Sequence, residues 1–161
     1  MILFIATGGT IDKDYPKTTR GYAFEIADPA IGRILEKVNP GFRFDIIQAL
    51  QKDSLDITAE DRNLLLDICR KSPSDQIIIT HGTDTMVETA GFLHSGGIKT
   101  IVLVGSLSPA RFKSSDAVFN IGFAFAAAMT LQPGVYIAMN GQVFAADQVR
   151  KNRAKNQFEK V

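Results

Sequence analysis

The sequence predicts a three-layer α/β fold, in which helices cover both faces of an open, mostly parallel sheet. Five short apolar runs are rich in β-branched residues and lack polar alternation, which is typical of strands covered on both faces. Signals for helix starts lie between these runs, so strands and helices alternate along the chain. A length of 161 residues, of which 45% are hydrophobic, fits one core better than two.

The predicted strands cover residues 2–6, 44–50, 76–80, 100–104 and 135–139. The first follows Met1 with no basic region before it and ends at a glycine pair, so we interpret it as a strand and not as a signal peptide. Periodicity alone does not separate a short buried strand from a buried helix. The turn and capping residues at the ends of these runs favour strands.

The predicted helices begin at recognisable capping sequences. Asp28 places a capping side chain before Pro29 as a first-turn proline, and capping boxes fit residues 58–61 and 85–88. The serines and aspartate of residues 114–116 precede the last helix. Residues 12–24 mix charges, proline, glycine and two tyrosines without any period, so we expect a long mobile loop there.

Two of the helices differ in their apolar pattern. The helix over residues 58–71 has one apolar stripe, made of Leu64, Leu65, Ile68 and Cys69, with Asp61, Arg62, Asp67 and Arg70 outside it. Residues 116–129 are apolar around nearly the whole helix, which indicates either the deepest core element or a surface packed on another subunit. We favour the contact with another subunit.

The composition argues against several classes of protein. Eighteen Lys and Arg against seventeen Asp and Glu give a net charge of +1, so we expect no nucleic acid and no membrane surface as partner. The single Cys69 fits a buried core thiol in a cytoplasmic protein, and with two histidines it gives no zinc-binding spacing. The most apolar long segment, residues 117–131, is shorter than the ~20 residues that span a bilayer.

Two unusual loops directly follow predicted strands. Thr7-Gly8-Gly9-Thr10 follows the first strand, and His81-Gly82-Thr83-Asp84-Thr85 follows the third. Ligands of open parallel sheets bind beyond the carboxyl ends of the strands, where such loops converge. A glycine pair there can present N–H groups to an oxyanion, but the spacing of a phosphate-binding loop or a dinucleotide fingerprint is absent. Taken alone, the first loop is equally consistent with a tight turn.

The second loop carries more polar groups than helix capping requires. Thr85 can cap the helix that follows, and His81 fits a structural histidine better than a base, which leaves Asp84 as the better chemical candidate. His94 fits a position near the end of that helix. A hydroxyl nucleophile needs a base, and the candidates in this sequence are Tyr15, Tyr22 and Lys151.

Two segments carry a resemblance to a known family. Residues 5–11, Ile-Ala-Thr-Gly-Gly-Thr-Ile, and residues 79–86, Ile-Thr-His-Gly-Thr-Asp-Thr-Met, together resemble the two signature segments of the bacterial-type L-asparaginase/glutaminase family. Residues 53–58 and 105–109 are also similar to that family, and residues 135–151 more weakly so. The resemblance covers nearly the whole chain, and it implies the α/β fold of the amino-terminal domain.

The resemblance implies a set of site residues. Thr10 looks like the nucleophile that attacks the side-chain amide of asparagine, releases ammonia and forms an acyl-enzyme that water cleaves. Thr83 and Lys151 look like a second constellation, in which Lys151 supports the deprotonation of Thr83. Asp84 matches the residue that binds the ammonium group of the substrate, and Ser54 matches the one that binds its carboxylate.

Further roles follow from the same resemblance. The backbone regions of Gly9 and Thr83 are the implied oxyanion donors. Tyr22 best resembles the tyrosine that lies over the nucleophile when a loop closes, with Tyr15 as the alternative. Leu55, beside the substrate-binding serine, departs from the polar residue that the family often carries. This departure leaves the amide preference open.

The implied activity is hydrolysis of L-asparagine to L-aspartate and ammonia without a metal or organic cofactor. We expect a cytoplasmic homo-oligomer, a dimer or tetramer, and L-glutamine stays open as a second substrate. Residues 1–161 would form a single domain that corresponds to the amino-terminal domain of the family, with no carboxyl-terminal domain. Two rival hypotheses are a catalytically weak amino-acid-binding or regulatory module of the same fold, and an amidase that acts on a macromolecular amide.

Overall fold

A computed structural model describes residues 1–17, 23–94 and 99–161. Its strands are β1 (Ile2–Gly8), β2 (Lys13–Asp14), β3 (Glu25–Ile26), β4 (Phe44–Lys52), β5 (Gln76–Thr80), β6 (Thr100–Val104), β7 (Gly134–Met139), β8 (Gln142–Ala145), β9 (Val149–Asn152) and β10 (Gln157–Lys160). Its helices are α1 (Ala30–Val38), α2 (Ala59–Lys71), α3 (Met86–His94) and α4 (Ala117–Thr130). The five predicted strands are all confirmed, each within two residues of its predicted bounds.

The central sheet has six strands in the order β4-β1-β5-β6-β7-β8. The neighbours from β4 to β7 pair in parallel, and only β8 runs antiparallel, against β7. Two small antiparallel pairs, β2 with β3 and β9 with β10, lie outside this sheet. The predicted fold class, an open and mostly parallel sheet with helices, is therefore confirmed.

Helices cover both faces of the sheet and divide the core into two layers. One layer packs α2 and α3 against the sheet through Leu65, Cys69, Met86 and Leu93. The other layer packs α1 and α4 against the opposite face through Ile31, Leu35, Ile121 and Ala124. The strands β1, β5 and β6 are buried on both faces, which explains why their sequences are continuous apolar runs.

The helix caps agree only in part with the sequence. The capping box at the start of α2 is confirmed, because the Thr58 hydroxyl accepts from the Asp61 N–H and the Asp61 carboxylate accepts from the Thr58 N–H. The role predicted for Asp28 is wrong. Helix α1 begins at Ala30 after Pro29. The Ala30 N–H donates a hydrogen bond of 2.8 Å to Oδ1 of Asp12, which lies eighteen residues earlier in the chain.

The stripe predicted for α2 is also partly wrong. Leu64 is exposed, whereas Leu66 and Arg62 turn inward with Leu65 and Cys69. The buried Arg62 guanidinium keeps polar partners on α3. Its Nε donates a hydrogen bond of 3.1 Å to Oγ1 of Thr89, and its Nη1 forms an ion pair with Glu88. Long charged side chains can bury their stems in this way, and a pattern based on hydropathy alone does not detect it.

The segment predicted as a long loop, residues 12–24, is ordered at its start. Residues 10–12 form a short 3-10 helix, and β2 pairs with β3, which lies just after the segment. Asp12 and Asp14 are buried there. Residues 18–22 of this segment lie outside the described residues, as do residues 95–96, which the sequence pattern predicts as the end of a helix over residues 86–96.

Helix α4 presents two different faces. Its small residues, Ala124 and Ala128 among them, are buried against the sheet, while Val118 and Phe119 stay 53% and 58% exposed. Only one side of α4 therefore belongs to the core. The opposite side leaves an apolar surface on the single chain.

Candidate active site

The two glycine-containing loops meet at the carboxyl edge of the sheet. β1 and β5 are adjacent parallel strands with Ala6 opposite Thr80, so the loops that follow them begin side by side. Gly9 and Gly82 are in backbone contact, since a Cβ on Gly9 would lie 2.5 Å from the N and Cα of Gly82. A side chain at Gly9 therefore cannot be accommodated without moving the loop that follows β5.

A third loop completes this meeting point. A Cβ on Gly82 would lie 2.7 Å from Oγ of Ser54, which belongs to the loop after β4. Ser54 is only 2% exposed, and its carbonyl accepts a hydrogen bond of 2.6 Å from the Thr85 hydroxyl. The structure thus brings the segments around Thr10, Ser54 and Thr83 together, as the resemblance implies.

The glycine pair has a backbone that other residues adopt only with strain. Gly8 has φ of 102° and Gly9 has φ of 83°, both in the region that favours glycine. The Gly9 N–H donates 3.0 Å to the carbonyl of Lys52, so this bond would have to open before Gly9 could act as an oxyanion donor. In this structure Gly9 allows the two loops to pack closely, because its backbone contacts that of Gly82. Thr10 is the next residue and begins the 3-10 helix Thr10–Asp12.

Lys151 connects distant parts of the chain to the second loop. Its Nζ lies 2.8 Å from Oγ1 of Thr83 and 2.8 Å from Oδ1 of Asp84. Strand β9 carries Lys151 inward, and its side chain is 11% exposed, unlike that of a solvated basic tail. The hydrogen bond from Lys151 lowers the pKa of Asp84 below its ordinary value, so Asp84 is a carboxylate at neutral pH.

Ser54 is fixed by its neighbours, whereas Leu55 is not buried. Asp53 accepts from the Leu55 N–H at 3.2 Å and pairs with Lys13 at 3.3 Å, so it links the loop after β4 to the segment after Thr10. The Leu55 side chain is 66% exposed at this edge. Sequence patterns did not identify the pair of Lys13 and Asp53, because the two residues are forty positions apart.

His81 has the structural position that the sequence favours. It is fully buried, its Nδ1 lies 2.7 Å from the carbonyl of Gly82, and burial lowers its pKa to about 4. The ring is therefore neutral at pH 7 and bound to the backbone. His94 is the last residue of α3, as expected.

The two tyrosine candidates have different outcomes. Tyr22 lies outside the described residues, so its predicted role stays a prediction. Tyr15 is 57% exposed, with its ring centroid 5.1 Å from that of Phe24 and 5.7 Å from the guanidinium carbon of Arg111. Nothing in these contacts joins Tyr15 to Thr10.

Asp12 is a buried carboxyl beside Thr10 that the sequence did not single out. It is 2% exposed, and its acceptor bond to Ala30 connects the 3-10 helix to α1. The sequence carried no signal for this contact, because Asp28 next to Pro29 offers a local capping group and Asp12 lies eighteen residues before Ala30.

The described residues contain neither a metal-binding cluster nor a membrane-spanning helix. In residues 1–17, 23–94 and 99–161, no three His, Cys, Asp or Glu side chains group closely enough to hold a metal ion. Across that same part of the chain, no helix combines the length and the apolar character that a membrane crossing requires.

Comparisons with known proteins point to one family. Residues 1–159 match the sequence model described as "Asparaginase, N-terminal". The glutaminase-asparaginase of Acinetobacter glutaminasificans is 36% identical over 93% of this chain and 49% of its own length. The probable periplasmic L-asparaginase of Haemophilus influenzae is 33% identical over 93% of this chain and 46% of its own length.

A solved structure agrees with these sequence matches. The thermostable L-asparaginase from Thermococcus kodakarensis superimposes with a TM-score of 0.87 at 26% identity, over 99% of this chain and 51% of that one. The chain spans about half the length of the relatives that it matches. Because the family match extends over residues 1–159, the chain belongs to the asparaginase family.

Proposed function

We propose that this chain hydrolyses the side-chain amide of L-asparagine to give L-aspartate and ammonia. The observation that carries the proposal is the contact of Lys151 Nζ with both Thr83 Oγ1 and Asp84 Oδ1, in a loop packed against the turn that bears Thr10. Two hydroxyls, a cation and a carboxylate at one sheet edge suit acyl transfer. The names of the relatives give the substrate class, asparagine with glutamine as a second candidate.

The first half of the proposed reaction forms an acyl-enzyme. Thr10 Oγ bonds to the amide carbon and loses its proton to a neighbouring base, for which we propose Tyr22, the residue that resembles the tyrosine lying over the nucleophile. The carbon–nitrogen bond then breaks, and the nitrogen takes up a proton and leaves as ammonia. Water attacks the resulting ester, which releases L-aspartate and returns the proton to Thr10.

We assign the second constellation to proton transfer and substrate binding. Lys151 Nζ contacts Thr83 Oγ1, so it is placed to support the deprotonation of that hydroxyl. Asp84 uses Oδ1 for Lys151, which leaves Oδ2 for the ammonium group of the substrate. Ser54, which adjoins Gly82, binds the carboxylate of the substrate in this proposal.

Ammonia release from L-asparagine and L-glutamine tests the proposal directly. We expect turnover by the purified chain and a loss of at least ~1,000-fold in Thr10→Ala, since a nucleophile has no substitute in covalent catalysis. Thr130→Ala is the matched control, because it removes a hydroxyl on the surface of α4, remote in sequence from the three loops of the site. Unfolding in urea shows whether each variant stays folded.

Two outcomes would contradict this assignment. Full activity in Thr10→Ala would show that Thr10 is not the nucleophile. If neither amide releases ammonia while calorimetry detects asparagine binding, the chain is an amino-acid-binding module instead. Both results also bear on whether residues 1–161 act as a single domain without the further half that the relatives carry.

We also propose that the chain forms a homo-oligomer through the exposed face of α4. Val118 and Phe119 stay exposed, and Phe119 packs on Phe123 with ring centroids 4.9 Å apart. Phe119→Ser should lower the mass measured by light scattering to that of a monomer, about 17.6 kDa, at little cost in stability. A wild-type monomer would contradict the proposal.

For the compartment we propose the cytoplasm. Its support is the single, buried Cys69, which has no partner for an intramolecular disulfide. One of the relatives is named as periplasmic, so cell fractionation with antibodies against this chain is the deciding measurement. Recovery in a periplasmic fraction would overturn the assignment.

A further inference from the structure

Asp12 joins three parts of the chain next to Thr10. Oδ1 of its carboxylate accepts a 2.8 Å hydrogen bond from the Ala30 N–H. The backbone of Asp12 adds two more bonds, since its N–H donates to the carbonyl of Gly9 and its own carbonyl accepts from Ala27. Asp12 is thus bound to Gly9, to Ala27 and to the start of α1.

These bonds restrain the backbone that carries Thr10. Residues 8–12, which we call the Thr10 turn, are closed by the 3.2 Å hydrogen bond from the Asp12 N–H to the Gly9 carbonyl. The bond to Ala30 fixes the same turn against the amino-terminal end of α1, where N–H groups favour a negative charge. The two glycines of the turn supply little restraint of their own, because glycine has the widest backbone freedom.

Burial keeps the Asp12 carboxyl near its titration point, because it raises the pKa of Asp12 to about 7. The hydrogen bond from Ala30 and the charge of Arg33 on α1 favour the carboxylate and oppose this rise only in part. Asp14 of β2 lies 3.8 Å from Arg33 and 3.1 Å from Arg111. A carboxylate oxygen accepts from the Ala30 N–H, whereas a protonated carboxyl turns one oxygen into a donor.

We propose that Asp12 is a positioning residue for Thr10, whose carboxylate fixes the Thr10 turn to α1 and so orients the Thr10 hydroxyl in the cleft. The inference rests on the proposed function for its effect on turnover. Its structural part does not, because the bond to Ala30 can be measured in the absence of any reaction.

Kinetics of Asp12→Ala and Asp12→Asn test the effect on turnover. We expect Asp12→Ala to lower kcat by ~10–100-fold with KM changed less than about threefold, as for a misoriented nucleophile. Asp12→Asn keeps one acceptor and should recover at least about half of that loss on a logarithmic scale. The wild-type kcat should rise between pH 6 and pH 8 relative to that of Asp12→Asn.

Thr58→Ala is the matched control for these variants. It also removes a helix-capping acceptor, that of α2, but Thr58 has no hydrogen bond to the Thr10 turn. Its kcat should stay within about twofold of the wild type, since loss of a cap alone affects stability and not orientation at the site. A kcat for Asp12→Ala as high as that of Thr58→Ala would overturn the proposal.

Amide hydrogen exchange measured by NMR provides a readout that does not depend on the reaction. The Ala30 amide should exchange at least ~10-fold faster in Asp12→Ala than in Thr58→Ala, because its acceptor is gone. Unchanged exchange would refute the inference even if the wild type releases no ammonia. If Asp12→Ala does not fold, Asp12→Asn decides: a flattened pH profile supports the proposal, and a wild-type profile overturns it.

Discussion

Lys151 is the residue whose chemistry depends most on its contacts. Its pair with Asp84 lies partly at the surface, where Asp84 is 38% exposed, and such pairs contribute little to stability. Its contact with Thr83 is the more informative one, because an alcohol needs a partner for its proton before it can take part in acyl transfer. We therefore expect Lys151 to matter for turnover and not for folding.

Replacement of Lys151 separates these two effects. Lys151→Ala should lower kcat by ~100-fold or more, the scale of a lost proton-transfer partner. Its free energy of unfolding in urea should change by less than about 1 kcal/mol. Lys155→Ala, an exposed lysine in the turn between β9 and β10, is the control and should keep full activity. Equal activity in the two variants would remove Lys151 from the mechanism.

Cys69 gives a second prediction at the scale of one residue. Burial raises the pKa of its thiol to about 11, so almost no thiolate is present at pH 8. Native protein should therefore react with a thiol reagent such as dithionitrobenzoate at least ~100-fold more slowly than protein unfolded in urea. Rapid labelling of the folded chain would show that Cys69 is accessible and that the packing of α2 differs from this structure.

At the scale of an element, the helices of this protein are capped in two ways. Helix α2 uses a residue adjacent in sequence, Thr58, whose hydroxyl accepts from Asp61. Helix α1 follows Pro29 and takes its acceptor from Asp12, which belongs to the segment after β1. A local cap is visible in the sequence, whereas one supplied across the fold is not, because nothing near the helix encodes it.

The local cap of α2 has a measurable stability. Thr58→Ala should lower the free energy of unfolding by about 1 kcal/mol, the typical cost of a lost N-cap. The urea slope should stay unchanged, since the variant alters no buried surface. Thr58→Ser retains the hydroxyl and should restore most of that loss. An unaffected midpoint in Thr58→Ala would mean that the capping box is not formed in solution.

At the scale of the whole molecule, two buried titratable groups act in opposite directions. Burial raises the pKa of Asp12 to about 7, so the folded chain binds a proton there that the unfolded chain releases above its ordinary value of 3.8. Stability from Asp12 is therefore full at low pH and lost as pH rises through 7. Burial lowers the pKa of His81 to about 4, so stability is lost as pH falls from 6.5 toward 4.

The pH ranges in which Asp12 and His81 change the stability overlap, so their opposite effects can cancel in the wild type. A variant of Asp12 alone separates its effect from that of His81. Asp12→Asn should gain stability relative to the wild type as pH rises from 5 to 8, by up to about 2.5 kcal/mol if the whole shift is expressed. Urea unfolding of both proteins at pH 5, 6, 7 and 8 measures this difference. A difference that does not vary with pH would show that Asp12 titrates at its ordinary value.

The sequence by itself determined the order of strands and helices, the parallel sheet and the two loops that bear Thr10 and Thr83. These features follow from patterns between near neighbours: buried strands are continuous apolar runs, helices begin at capping residues, and loops after parallel strands share one edge. The proposed roles of Ser54, in the loop after β4, and of Asp84 came from the resemblance to a family.

Only the tertiary structure decided what lies around those loops. It set the 2.8 Å contact between Lys151 and Thr83, a pair that only the resemblance had implied. It also bonded the buried Asp12 to the start of α1, turned Arg62 inward and left Leu64 outside. Strands β8, β9 and β10, of which β9 carries Lys151, have short and partly polar sequences that no local pattern marks as strands. The physical reason is range: Lys151 and Thr83 are 68 residues apart, and Asp12 and Ala30 are 18 apart, so only contacts across the fold bring them together.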